Sequence, residues 1–246
     1  MSDAAAPLPS RSPSAADAGA PTVVVDVAEE DEARRRFAFG LERLVFFSDA
    51  VFAIAITLLA IDIRLPELPD GVTDAGVRDA ILGLWPQLFA FALSFLVIAQ
   101  FWIGHYRTFR YVEHVNGRLV AINLALLFCV ALLPFPTSVV AQVGDRPSGA
   151  VLYAGFITVA GTVSTLLWAY PMVIAGLSGG RVSPDLAGRI TKRASVIPVM
   201  FGLSIPVALV APGYAWILWV GALVVQEVVT RALGIHGPLE VASRQG

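Results

Sequence analysis

Leu44-Val45-Phe46-Phe47-Ser48-Asp49-Ala50-Val51-Phe52-Ala53-Ile54-Ala55-Ile56-Thr57-Leu58-Leu59-Ala60-Ile61 carries one charge, Asp49, in an otherwise apolar run. Its length and apolarity suit a helix that crosses a bilayer. Five further apolar stretches follow, at about 81–106, 119–143, 150–177, 194–211 and 214–233. The chain therefore reads as an all-α, polytopic membrane protein with six transmembrane helices. Helix-breaking residues separate the stretches: Pro66, Pro69 and Gly71 after the first, Gly144 to Pro147 after the third, and Gly179 to Pro184 after the fourth. The shortest break is Ala211-Pro212-Gly213. Joining the two stretches across it would give a segment of about 40 residues, too long for one crossing.

Composition agrees with this reading. Of 246 residues 57% are hydrophobic and 15% charged, and the mean hydropathy is +0.73. The net charge of -2 supplies no basic field for a nucleic acid. One cysteine, Cys129, excludes an internal disulfide framework and a thiolate metal cluster. No Walker A sequence, His-Glu-x-x-His or Gly-x-Ser-x-Gly occurs, so the chain is not expected to be an enzyme. No cofactor or bound metal is expected.

Residues 1–36 are rich in Ala, Pro, Ser, Asp and Glu and contain no apolar block. They predict a disordered cytoplasmic tail that stays on the mature chain. Residues 37–236 form the membrane domain, and 237–246 a second short cytoplasmic tail. Orientation follows from the basic residues, which are retained on the cytoplasmic side. The N-terminal segment, the second and fourth loops and the C-terminus hold fourteen of the 17, and the other three loops hold three. Both termini are thus expected in the cytoplasm, with the protein in the cytoplasmic (inner) membrane. Trp85, Trp216 and Trp219 fall near outer boundaries, where interfacial aromatics anchor helices.

An ionisable group inside a span needs a partner. Asp49 lies about 8 Å inside the first helix, at 1.5 Å per residue from Leu44. Arg43 stands just before that helix, Trp102 and His105 end the second, and Asn123 lies about one turn into the third. All fall on the cytoplasmic side. Arg43, Ser48, Asp49, Trp102, His105 and Asn123 are expected to converge there as a polar clasp around a buried carboxylate, with a proton relay or binding site as the competing reading.

Each helical residue turns the chain by about 100°. With Ile54 at zero, Phe47, Leu58, Ile61 and Thr57 fall within about 60° of it, and Asp49 lies about 140° away. The first helix has one apolar stripe and one polar anchoring face. The stripe could face lipid, another helix, or an axis shared with other copies.

Arg43-x-x-x-Phe47-Ser48-Asp49, continued by Ala50 to Leu59, resembles the first helix of prokaryotic relatives of the endosomal and lysosomal potassium channel, the transmembrane protein 175 family. Phe101-Trp102-Ile103-Gly104-His105, and Asn123-Leu124 through Leu132-Leu133-Pro134-Phe135-Pro136-Thr137, are similar as well. The resemblance is specific over about residues 40–140. It implies a passive, potassium-permeable cation channel, modestly selective over sodium and lacking a Thr-Val-Gly-Tyr-Gly filter loop. One copy of the motif implies a homotetramer in the lipid bilayer, with four first helices lining a central pore. Ile54 then matches the principal apolar constriction, Leu58 and Ile61 continue it outward, and Thr57 offers a hydroxyl ring. Such rings gate by narrowing and dewetting. Arg43, Phe47, Ser48, Asp49, Trp102, His105 and Asn123 form the structural motif network that sets where the stripe points.

The outer loop, residues 62–80, has a net charge of -3 and would draw cations to the mouth. Two rival readings are a secondary transporter and a non-conducting membrane scaffold. A transporter would show repeats around a polar midplane site, whereas the first helix is apolar at its midplane and its motif is not repeated.

Overall fold

The computed structural model describes residues 22–234. Every regular element among them is helical: α1 (Thr22–Leu58), α2 (Asp74–Leu82), α3 (Trp85–Tyr111), α4 (Gly117–Leu132), α5 (Pro134–Val143), α6 (Pro147–Ala169), α7 (Pro184–Ala194), α8 (Val196–Val210) and α9 (Ala215–Ala232). A π-helical turn, Tyr170–Ile174, extends α6, and a 3₁₀ turn, Pro212–Tyr214, joins α8 to α9.

Contacts divide the chain into residues 1–40 and 41–246. In the first unit helix begins at Thr22, which corrects the expected disordered tail over residues 22–36. The run from Val23 to Arg36 has neither Gly nor Pro and is dense in Ala, Glu and Arg, all strong helix formers. Arg36 also pairs with Glu32 one turn back, at 2.7 Å. Residues 1–21 of that tail, and the expected C-terminal tail at 237–246, lie outside the described residues.

In the second unit five segments have the length and apolarity to cross a membrane: Asp74–Tyr111, Gly117–Val143, Pro147–Ile174, Pro184–Val210 and Pro212–Ala232. The first expected span is shorter than the sequence implied, because α1 ends at Leu58 and residues 59–62 are turns. From Leu44 its apolar part is about 22 Å long. The hydrocarbon core of a bilayer is about 30 Å thick. The loop at 62–80 is also more ordered than expected, since α2 starts at Asp74 with Thr73 as its N-cap, accepting from the Gly76 amide at 3.3 Å.

α6 is the centre of this unit and packs against α3, α4, α5 and α8. Its buried face carries Gly149, Ala150, Ala154, Ala160 and Gly161, small residues that let neighbouring backbones approach. Tyr153 and Ile157 fill the space between them and are fully buried. Tyr153 brings a hydroxyl into this core, which shares hydrogen bonds with Ser94 (2.9 Å) and through it with Thr137 (2.8 Å).

Two prolines, Pro134 and Pro198, set breaks, and the carbonyls they release find new partners. Pro198 cannot bond the Ala194 carbonyl, so the segment bends at Ser195 between α7 and α8. Thr165 Oγ1, from α6, lies within donating distance of that carbonyl, at 3.1 Å, and shares its proton between it and the Gly161 carbonyl at 2.9 Å. Pro134 likewise frees the Val130 carbonyl, which accepts from the Leu133 amide at 3.2 Å where α4 gives way to α5. Pro171 sits in the π turn, closed by Ala175 donating to the Tyr170 carbonyl at 2.8 Å.

The loops at the end of α3 and after the π turn are locked together. Glu113 donates its amide to the Leu177 carbonyl at 2.9 Å and pairs with Arg181. Gly179 suits this turn because its φ of +56 is a backbone conformation that a side chain would strain.

Gly161 faces Pro198 so closely that an added Cβ would lie 2.9 Å from Pro198 Cδ and 3.2 Å from its nitrogen. Gly161→Ala is expected to push α6 from α8 and cost about 1–3 kcal/mol, the range for overpacking. Thermal unfolding of purified protein in detergent measures this, and an unchanged midpoint would show that the pair can separate freely.

Candidate functional site

The faces of α1 differ sharply from residue 46 onward. Ser48, Phe52, Ala55 and Leu59, at i, i+4, i+7 and i+11, are buried against the rest of the unit. Phe47, Ala50, Ile54, Thr57 and Leu58 are on the other side and all exposed, and Ile61 beyond the helix end is exposed as well. Ile54 leaves 58% of its surface uncovered. Within one subunit these large apolar side chains have nothing packed over them that removes them from their surroundings. Thr57 belongs to this face, and its Oγ1 donates to the Ile54 carbonyl at 2.8 Å. Its donor is therefore spent on the helix, and its oxygen lone pairs remain to accept or coordinate.

The polar residues form two arms rather than one cluster. In the buried arm, Ser48 Oγ donates to the Leu44 carbonyl (2.8 Å) and accepts from Asn123 Nδ2 (3.1 Å). Asn123 Oδ1 faces His105 Nε2 at 3.0 Å. Ser48, Asn123 and His105 are all buried. Because the Asn123 amide nitrogen donates to Ser48, its oxygen must accept, which makes His105 the Nε2–H donor. The imidazole is held between two phenyl rings, Phe52 edge-on at 5.5 Å and Phe109 at 4.6 Å. Three helices, α1, α3 and α4, thus meet through one amide.

The second arm is more open. Trp102 Nε1 donates to Asp49 Oδ1 at 2.8 Å. Trp102 stacks on Tyr106 one turn along α3 (5.9 Å between centroids), and the Arg110 guanidinium lies over Tyr106 at 5.6 Å. Asp49 is half-buried, not the fully buried carboxylate expected from its place in an apolar run. The reason is position: it lies at the edge of the packed face, about 100° from Ser48. Arg43 is exposed near the start of this region. Phe47, a member of the motif that the helical angles place on the stripe, is exposed on that face.

Sequence reasoning missed a further polar group on the opposite side of α3. Gln100 Oε1 accepts from Gln226 Nε2 (2.9 Å) and from Arg193 Nη2 (3.2 Å), while Arg193 Nε donates to Thr230 Oγ1 at 2.6 Å. Arg193 and Gln226 are buried. This ties α3 to α7 and α9. A glutamine in each of two apolar stretches, at 100 and 226, was the available signal. Glu227 and Arg231 pair along α9 at 2.8 Å. Among the described residues no group of three or more His, Cys, Asp or Glu is placed to hold a metal ion.

The family model for the endosomal/lysosomal potassium channel TMEM175 matches residues 43–134, which include α3, α4 and the clasp. A potassium channel of Streptomyces collinus is 34% identical over 173 residues, covering 69% of this chain and 82% of that protein. A potassium channel of Chamaesiphon minutus is 32% identical over 183 residues, or 72% and 90%. The crystal structure of a lysosomal potassium-selective channel TMEM175 homolog from Chamaesiphon minutus is similar in fold, with a TM-score of 0.65 at 26% identity over 79% of this chain and 98% of that one.

Asn123→Ala strands the His105 donor and removes the donor to Ser48, a loss of about 1–3 kcal/mol for buried groups left without partners. The variant is expected to unfold several degrees below the parent, followed by tryptophan fluorescence in detergent. A parental midpoint would mean that packing alone holds α1.

Proposed function

This chain belongs to the TMEM175 channel family, and from that membership we propose that it forms a homotetrameric, potassium-permeable cation channel whose pore is lined by α1. The observation that carries this reading is the uncovered stripe of Phe47, Ile54, Leu58 and Ile61 on a helix whose other side is buried and hydrogen-bonded. A helix fixed on one side with a continuous apolar face on the other is suited to meet copies of itself around an axis. The first crossing is then made by α1 and the turns that follow it, giving six per subunit.

In such a pore Ile54 forms the narrowest ring, with Leu58 and Ile61 outward of it. These side chains cannot replace an ion's hydration shell, so they gate by narrowing and dewetting. Potassium sheds water more readily than sodium, which makes a tight apolar throat modestly selective. Thr57 adds a ring of oxygens whose lone pairs face away from the helix hydrogen bond. Arg43, Ser48, Asp49, Trp102, His105 and Asn123 orient the helix, and the ions pass along the stripe with no resident cofactor. The acidic residues of 62–80 concentrate cations at the outer mouth. The protein sits in the inner membrane with both ends of the chain in the cytoplasm.

Flux from proteoliposomes under separate potassium, sodium and chloride gradients tests this. Passive cation flux preferring potassium is expected, and Ile54→Asn should wet the throat, raising flux and lowering discrimination. Exchange that requires a counter-ion would identify a transporter, and intact tetramers without flux a scaffold. Unchanged conduction and selectivity in Ile54→Asn would move the constriction elsewhere.

Asp49→Ala deletes the acceptor of the Trp102 bond, a hydrogen bond to a charged group worth about 1.5–3 kcal/mol. Loss of the tetramer on size exclusion, or loss of flux, is the expected outcome. Normal assembly and conductance would show that Asp49 does not orient the pore helix.

A further inference from the structure

The far end of α3 from the clasp opens into a cavity of about 610 Å³. Trp85 and Phe89 of α3, the last turn of α5, and Trp216 and Trp219 of α9 line it, with Leu93 at its base. That volume is in the range of small-molecule sites, about 300–1,000 Å³. Leu93 and Trp219 are buried, whereas Trp85 and Trp216 are exposed, so the space has a closed floor and an open mouth.

Its chemistry is one-sided. Phe89 stands edge-on to Trp216 with centroids 6.1 Å apart. Trp219 donates its indole N–H to Ser204 Oγ at 2.8 Å, so toward the cavity it offers π surface rather than a donor. Asp145 is the one charged residue in the lining, and it is exposed. Arg146, next in the chain, does not line the cavity. α5 ends near this rim, at Val143, and α6 begins just beyond it, at Pro147, so the negative end of one helix dipole and the positive end of the next lie close together. The aromatic faces and the carboxylate favour positive charge, and the apolar walls favour an organic cation over a fully hydrated inorganic one.

We propose that this cavity binds a lipophilic organic cation, an ammonium ion whose charge sits at Asp145 and whose apolar groups lie against Trp85, Phe89 and Trp216. A lipid acyl chain would suit the walls but would leave the carboxylate without a role. The site is separate from the α1 stripe and does not depend on the pore reading.

The test is equilibrium dialysis of benzyltrimethylammonium against the purified full-length protein in maltoside micelles, which carry no ammonium of their own. Neopentylbenzene, its uncharged carbon isostere, is run in parallel with empty micelles as the blank. Saturable binding of the ammonium is expected, with the isostere and Asp145→Asn each weaker by about tenfold or more, the equivalent of 1.4 kcal/mol. Trp216→Ala should abolish binding and Trp216→Phe, which keeps a π face, should retain it. Equal binding of the isostere would make this a purely apolar cavity and overturn the proposal. So would the absence of saturable binding, or binding indifferent to both Asp145→Asn and Trp216→Ala.

Discussion

Asn123 has to serve two helices at once, and the orientation of α1 depends on it. Its amide has unlike ends: the nitrogen reaches Ser48 on α1, and the oxygen receives His105 from α3. In apolar surroundings a polar group without an internal partner costs several kcal/mol. Turning α1 by one residue, about 100°, would take Ser48 out of reach and break the chain of bonds at both ends. Packing of Phe52, Ala55 and Leu59 selects the same orientation. Side-chain volume and hydrogen bonding therefore agree on which face of α1 is turned outward.

That orientation is useful only if α3 and α4 are themselves held. α3 is gripped on its other side, through Gln100, by Gln226 and Arg193. α4 passes its load to α6, the helix against which most of the unit packs. Pro134 and Pro198 do not loosen this frame, because the carbonyls they release are taken up again, by the Leu133 amide for Val130 and by Thr165 for Ala194. At the breaks at residues 133 and 195 the released carbonyls thus keep hydrogen-bond partners.

Much of this could be read from the chain itself, for identifiable reasons. Long apolar runs and their punctuation mark the helices from α3 onward, since bilayer thickness imposes a length that soluble proteins lack. The division of α1 into two faces followed from 100° arithmetic, because no glycine or proline disturbs the helix between Leu41 and Leu58, while what the stripe would face stayed open. Spacing could not reveal the end of α1 at Leu58, where Leu59, Ala60 and Ile61 remain apolar but the backbone turns. Nor could it separate Asp49 from Ser48 in burial, a difference set by which neighbour stands at the edge of α3. Helix from Thr22 was hidden by composition: the acidic and basic residues that suggested disorder are also good helix formers, and their i, i+4 pairing becomes apparent only once a helix exists. The Gln100 group escaped notice because it joins residues 93 and 126 positions apart.

On α1 the clasp residues Ser48 and Asp49 lie about one and a half turns from Ile54, and that separation explains why a structural group can govern an apolar one. Ile54 and Ala55 are adjacent in sequence but about 100° apart on the helix. Ala55 is buried, and Ile54 is open. A rotation of that size would replace a branched four-carbon side chain with a methyl group at the same height and bury Ile54 where only alanine fits. An apolar ring has no directional bond with which to hold its own angle. On the pore reading, the width of the throat is consequently set by hydrogen bonds that no ion touches, and Ser48, Asp49 and Asn123 control conduction by deciding which side chain is presented to it.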